Sequence, residues 1–140
     1  MSDLNTEVIA EFRANGGVVR DAGGGHFKAA RLLLLHHVGR RSGRTYVNPL
    51  LYMEHGDSRL LVGSNGLNPP EEPQWVANVE AASEVTVEIG DRTLTVKPTV
   101  LRSGPERNQL YTALVSFWPD LLTYQKYTDR TFPVIRLDAA

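Results

Sequence analysis

Val85-Thr-Val-Glu-Ile-Gly-Asp-Arg-Thr-Leu-Thr-Val-Lys-Pro-Thr-Val-Leu101 carries the plainest structural signal in the chain. Side chains of an extended segment alternate between two faces, so Val85, Val87 and Ile89 share one of them. Gly90-Asp91 supplies the residue types that a two-residue turn requires. The stretch therefore reads as a β-hairpin, with strands over 85–89 and 92–101.

Further strands lie upstream. Arg31 to Val38 is a largely apolar run ended by Gly39, and Thr45 to Met53 is a second run rich in β-forming residues. Between them, Gly39-Arg-Arg-Ser-Gly-Arg44 has the two glycines of a tight connection and three arginines. In form it is an anion-binding loop, exposing backbone N–H and guanidinium groups together. After the turn His55-Gly56-Asp57, Arg59 to Gly63 reads as another strand, and Pro133 to Leu137 closes the chain as one more.

Helices fit the remaining patterned segments. Thr6 to Asn15 places Val8, Ile9 and Phe12 at helical spacing, with Asn5 as N-cap and Gly16-Gly17 as the stop. Pro73 starts a helix through Ala82, with Trp75, Asn78, Val79 and Ala82 on one face. Gly104 to Phe117 and Asp120 to Thr128 are helical on either side of Pro119. About six strands without regular βαβ alternation indicate an α+β domain built around an antiparallel barrel, not a Rossmann sheet. One domain over 1–140 is expected, with 1–25 forming the first helix and a flexible connector. The glycine-dense Asp21 to Gly25 lacks the Lys-Ser/Thr ending of a phosphate loop.

Composition narrows the chemistry. The chain has 140 residues, 41% of them hydrophobic and 22% charged, which is ordinary globular usage. It has no cysteine, so disulfides, thiolate metal sites and cysteine nucleophiles are excluded. A cytoplasmic location is expected, since Leu32 to Leu35, its longest strongly apolar run, is far below the roughly 18 residues of a membrane span and the N-terminus lacks a basic signal start. A net charge of −1 gives no general attraction to nucleic acid. The clustered Arg40, Arg41 and Arg44 point instead to a small anionic ligand. His36 and His37, as strand neighbours, face opposite ways and do not share a metal ion; one faces the barrel and the other solvent. His26 and His55 are isolated, and no serine hydrolase elbow is present.

Several segments together resemble the deazaflavin-dependent nitroreductases, small split β-barrel oxidoreductases of actinobacteria that use coenzyme F420. They are Glu11-Phe-Arg-Ala-Asn-Gly-Gly17, Leu34-Leu35 leading to Gly39-Arg-Arg-Ser-Gly43, Val47-Asn-Pro-Leu50, Gly63-Ser64, Gln74-Trp75 with Asn78, and Tyr124-Gln-Lys-Tyr-Thr-Asp-Arg-Thr131 before Pro133. The ordered set spans nearly the whole chain.

The resemblance implies a flavin-reductase-like split barrel that binds reduced F420 and passes a hydride to a quinone, enone or nitro compound. It implies that Arg41, Ser42 and Gly43 hold the cofactor phosphate. Val47, Asn48 and Pro49 match the strand passing the ring, with proline marking a bulge or an edge. Val62, Gly63, Ser64 and Asn65 match the next cofactor segment, where Gly63 would let backbone N–H groups approach the ring carbonyls. Gln74, Trp75 and Asn78 match a helix start along the tail side, and Tyr124 matches a substrate-pocket tyrosine; either Tyr124 or water is the proton donor.

The departures are specific. Arginine and lysine of well-known members are replaced by Tyr46 and Asn65, with Arg40 and Arg44 as compensating charges, while Glu71-Glu72 bring negative charge towards the tail groove. Leu121 stands where nitroimidazole-reducing members carry a tyrosine, and Trp118 replaces another, adding an apolar surface near the presumed pocket. The partners implied are a small-molecule acceptor, no metal, no nucleic acid, no membrane beyond reaching a quinone, and a monomeric or homodimeric state. Two alternatives stay open: an FMN-dependent or haem-pigment reductase on the same barrel, and a non-catalytic module that binds a lipid or the cofactor.

Overall fold

The computed structural model describes residues 3–19, 31–65 and 69–140; the connector at 21–25 and His26 fall outside them. Its strands are β1 (Leu32–Val38), β2 (Thr45–Leu51), β3 (Met53–His55), β4 (Ser58–Val62), β5 (Val85–Ile89), β6 (Arg92–Leu101) and β7 (Val134–Ala139). The helices are α1 (Asp3–Ala14), α2 (Gln74–Glu80), α3 (Pro105–Phe117) and α4 (Asp120–Gln125). None of these helices is long and apolar enough to cross a membrane.

The seven strands form one sheet in the order β2-β1-β5-β6-β7-β4-β3, with every neighbouring pair antiparallel. β2 and β3 lie at opposite ends of this order, yet Tyr52 alone separates them in the chain. Two Cα steps span only about 7 Å, so the two ends of the sheet are drawn together and the sheet curls into the split-barrel form.

This closure explains the seventh strand. The run expected over Thr45 to Met53 divides at Tyr52, whose N–H donates to Arg31 O (3.2 Å), and the chain then pairs with β4 instead of β1. The β5–β6 hairpin has the expected bounds, with Val85 opposite Val96 and Ile89 opposite Arg92. α1 begins at Asp3, so Asn5 lies inside the helix and is not its cap. α4 stops at Gln125, short of the expected Thr128, because the Gln125 carboxamide turns to donate to Thr128 O and Arg130 O, both at 2.9 Å.

β1 is covered on both faces, which is why it reads as a continuous apolar run. Leu33 and Leu35 join the barrel interior with Tyr52, Leu61 and Val87, while Leu32 and Leu34 pack outward against Val8 and Phe12 of α1. Each fully buried leucine contributes about 1.5–3 kcal/mol, so this strand is firmly registered. α2 plugs the interior with Trp75, Val76 and Val79. On the other side of the sheet, α3 and α4 cover Met53, Leu60 and Val134 with Leu110, Leu114 and Leu121.

Gly17, just after α1, has φ +95°, and a Cβ there would lie 2.6 Å from the Cα of Gly90 in the hairpin turn. A side chain is excluded both by backbone conformation and by that close approach. The glycine stop that the sequence suggests thus also docks α1 onto the β5–β6 turn.

Candidate active site

The alternation of β1 carries the Leu33–Leu35 face on to His37, at the end of the strand that leads into residues 39–44. There the loop, the start of β2 and the first turn of α2 enclose a cleft of about 440 Å³. This lies within the roughly 300–1,000 Å³ of small-ligand sites.

Half of the backbone donors of the loop are spent on the loop itself. Gly39 N–H donates to Arg44 O (2.7 Å), Gly43 N–H to Gly39 O (2.9 Å) and Arg44 N–H to Ser42 Oγ (3.2 Å). Arg40 N–H donates to Asn78 Oδ1 (3.1 Å). The expected row of exposed N–H groups therefore reduces to those of Arg41 and Ser42, because a tight turn closes on its own hydrogen bonds.

The three arginines divide the work. Arg40 is tied to α2, with Nη1 donating to Asn78 Oδ1 (2.9 Å) and Nη2 to Gln74 Oε1 (3.1 Å). Arg41 lines the cleft, and its guanidinium has no partner among the described residues. Arg44 is exposed and lies outside the lining. Arg41 is the cation that this geometry leaves for a ligand.

Beside it, His37 is only 5% exposed. Its Nε2 lies 2.6 Å from Asn48 Oδ1, its Nδ1 lies 3.0 Å from Asn78 Nδ2, and its ring stacks on Tyr46 at 5.5 Å. Burial pushes the imidazole pKa below its ordinary value and outweighs the opposing effect of the Asn48 hydrogen bond. The paired histidines do face opposite ways: His36 turns out towards Glu88 (2.6 Å), which Arg13 of α1 also holds.

The carboxamide oxygens of Asn48, Gln74 and Asn78 are all taken by protein donors. The cleft is left with several donors, the Asn48 and Gln74 NH2 groups and the Arg41 guanidinium, beside the Ser42 and Tyr46 hydroxyls, which both donate and accept. Tyr46, Pro73 and the accessible edge of Trp75 supply its flat apolar walls. Such a cleft suits a planar ligand rich in carbonyl oxygens and carrying a phosphate.

Of the expected cofactor residues, the cleft gathers Arg41, Ser42, Asn48, Gln74, Trp75 and Asn78. Gly43 sits outside it in the turn. Val47 packs towards α1, and Pro49 is buried opposite Leu34 on β2, which is an edge strand as a proline allows. Val62 packs with the α3–α4 cluster. Gly63 needs its missing side chain for the protein: a Cβ would lie 2.8 Å from Val76 Cγ2 and 2.9 Å from Pro133 Cγ, and its N–H donates to Pro133 O (2.9 Å). That N–H is thus unavailable to a ring carbonyl. Ser64 is buried, and Asn65 adopts φ +52° with its Nδ2 donating to Glu71 O (3.0 Å).

Arg130 holds this segment together. Its guanidinium donates to the carbonyls of Gly63, Ser64 and Pro69, each at 3.0 Å, on the loop that delivers Pro73 and Gln74 to the cleft. Glu72, expected to bring negative charge, is paired with Arg102 at 2.7 Å. His37 and Arg130 are the residues that sequence reasoning missed. Arg130 lies in the family-like segment 124–131, but no local pattern gives either residue its role, because both act through partners at least 11 positions away.

Tyr124 and Leu121 lie elsewhere. Tyr124 meets Trp118 edge to face at 5.6 Å within the α3–α4 cluster and does not line the cleft. Burial and, second, the Asp120 carboxylate push its phenol pKa up. Leu121 is fully buried on the inner side of α4 among core residues and does not line the cleft. Trp118 packs in the same cluster and adds no surface to the cleft.

Comparison with known proteins places these features in a wider set. Residues 7–138 match the family model described as F420H(2)-dependent quinone reductase. A putative F420H(2)-dependent quinone reductase of Mycobacterium tuberculosis strain H37Rv is 35% identical over 115 residues, covering 82% of this chain and 95% of that protein. The solved structure of an F420-H2 dependent reductase superposes with a TM-score of 0.66 at 31% identity, covering 76% of this chain and 93% of its own. A chain described as a domain-swapped dimer superposes at 0.69 with 29% identity, over 95% of this chain and 93% of that one.

Proposed function

The chain belongs to the F420H(2)-dependent quinone reductase family, and on that premise we propose that the cleft under residues 39–44 is where it holds coenzyme F420 and reduces a quinone-type acceptor. The protein is an oxidoreductase with F420 as its cofactor. The observation that supports this site above all is Arg41, an exposed guanidinium with no partner among the described residues, lining a cleft that also offers the Asn48 and Gln74 NH2 groups.

In this reading Arg41 and the Ser42 hydroxyl bind the phosphate, and the NH2 groups of Asn48 and Gln74 meet carbonyl oxygens. Trp75 and Tyr46 bound the ring, and Asn78 holds the loop in place through Arg40. When bound, the reduced deazaflavin supplies the hydride. The residues around it need only position the acceptor and exclude water from one face, which agrees with a cleft whose imidazole, His37, has both ring nitrogens engaged by Asn48 and Asn78.

A proton must follow the hydride. Tyr124 stands outside the cleft lining, so we assign this proton to water. Oxidation of reduced F420 by a soluble quinone, followed by the return of the cofactor's absorbance, tests both points. The wild type turns over, and Tyr124→Phe changes kcat by less than about twofold. A general acid contributes roughly 10²–10⁴-fold, so a hundredfold loss in Tyr124→Phe restores the tyrosine as donor. Tight cofactor binding with no turnover on any quinone favours a non-catalytic binding protein.

A further inference from the structure

The hydrogen bonds around His37 leave only one consistent arrangement. Arg40 approaches Asn78 Oδ1 with both its backbone N–H (3.1 Å) and its Nη1 (2.9 Å). Arginine can only donate, so the Asn78 atom there is oxygen and its NH2 group must face His37. The His37 Nδ1, 3.0 Å from that NH2, is therefore an acceptor, and the ring is neutral with its proton on Nε2. This Nε2–H in turn points at an Asn48 atom 2.6 Å away, which must be oxygen. The Asn48 NH2 group is turned away from the histidine and has no partner among the described residues. Among the described residues the one buried side-chain nitrogen without a partner is Arg59 Nε, on β4, so the unpartnered Asn48 NH2 is accessible to solvent on a residue that lines the cleft.

We propose that His37 is a positioning residue: locked as the Nε2–H tautomer by Arg40 through Asn78, it fixes the Asn48 carboxamide so that the cleft meets an NH2 donor and not a carbonyl oxygen. The ligand feature selected is a carbonyl or carbonyl-like acceptor on a planar ring. Burial and the depressed pKa of His37 keep the lock in place at neutral pH. Without it, Asn48 can turn by half a rotation at no local cost and present oxygen to oxygen. The inference rests on the reading that this cleft holds F420, and the test separates the two.

His37→Phe keeps an aromatic ring against Tyr46 but removes both the donor to Asn48 and the acceptor for Asn78. It weakens F420 binding in a fluorescence titration by about tenfold, on the order of one well-made hydrogen bond. His37→Gln, which can still donate to Asn48, stays within about threefold of the wild type. In an Asn48→Ala background, His37→Phe causes no further loss. Independently of any variant, 15N NMR of the imidazole shows a neutral ring protonated on Nε2. A protonated ring, or a proton on Nδ1, overturns the lock. So does an undiminished affinity of His37→Phe while Arg41→Ala binds weakly. An equal loss from His37→Phe with and without Asn48 shows that the histidine does not act through it. If the wild type itself fails to bind F420, the site reading falls, and the NMR result still decides the lock.

Discussion

Arg41→Ala is expected to weaken F420 binding by about tenfold to a hundredfold and to leave the thermal midpoint where it is. The guanidinium is exposed in the cleft and has no partner among the described residues, so its removal should cost the fold little. A charge-assisted contact with a phosphate contributes roughly 1.5–3 kcal/mol, which sets the expected range. Arg40→Ala differs in kind, because it strips one guanidinium donor from Asn78, leaving the backbone N–H in place, and one from Gln74, lowering stability together with affinity. Arg44→Ala changes neither, since Arg44 lies outside the lining. If affinity follows Arg44 and ignores Arg41, the phosphate sits elsewhere on the loop.

Leu121→Tyr has the larger expected effect on stability. Leu121 is fully buried among Met53, Leu60, Leu110, Leu114 and Val134. A tyrosine there adds a ring to a closed core and carries a hydroxyl into apolar surroundings. Overpacking alone costs about 1–3 kcal/mol, and an unpaired hydroxyl adds about 1–3 more. The thermal midpoint should fall by roughly 5–20 °C in calorimetry or circular dichroism. No nitroimidazole activity should appear, because the new phenol points into the core and not into the cleft. A stable Leu121→Tyr variant that reduces nitroimidazoles would show that α4 opens in solution.

These two positions mark what the sequence can and cannot reveal. The β5–β6 hairpin was legible because alternation and a Gly-Asp turn are local properties. β1 was legible because its run of leucines needs cover on both faces, whatever supplies it. The break at Tyr52 was not: nothing local distinguishes that tyrosine from its strand neighbours, and the division into β2 and β3 follows from closure of the sheet. Likewise, two glycines and three arginines identified a basic loop. Which arginine remains free depends on α2 lying beneath it to occupy Arg40.

Gly63 and His37 show the same limit from opposite sides. Gly63 looked like a place for a ligand, yet Val76 and Pro133 fill its space. His37 looked like one half of an unremarkable pair, yet its position at the inner end of β1 sets it between two asparagines from different elements. In both cases the deciding neighbours are distant in sequence, and no periodicity reports them. The segments that resemble the family supplied the cofactor; the packing decided which of their residues reach the cleft.

A fluorescence titration of the wild-type protein with F420 and FMN side by side tests the central claim most directly. If the donor-lined cleft is the site of a family member that uses the deazaflavin, F420 binds more tightly by about tenfold, or ~1.4 kcal/mol. Equal affinities, or a preference for FMN, would contradict it.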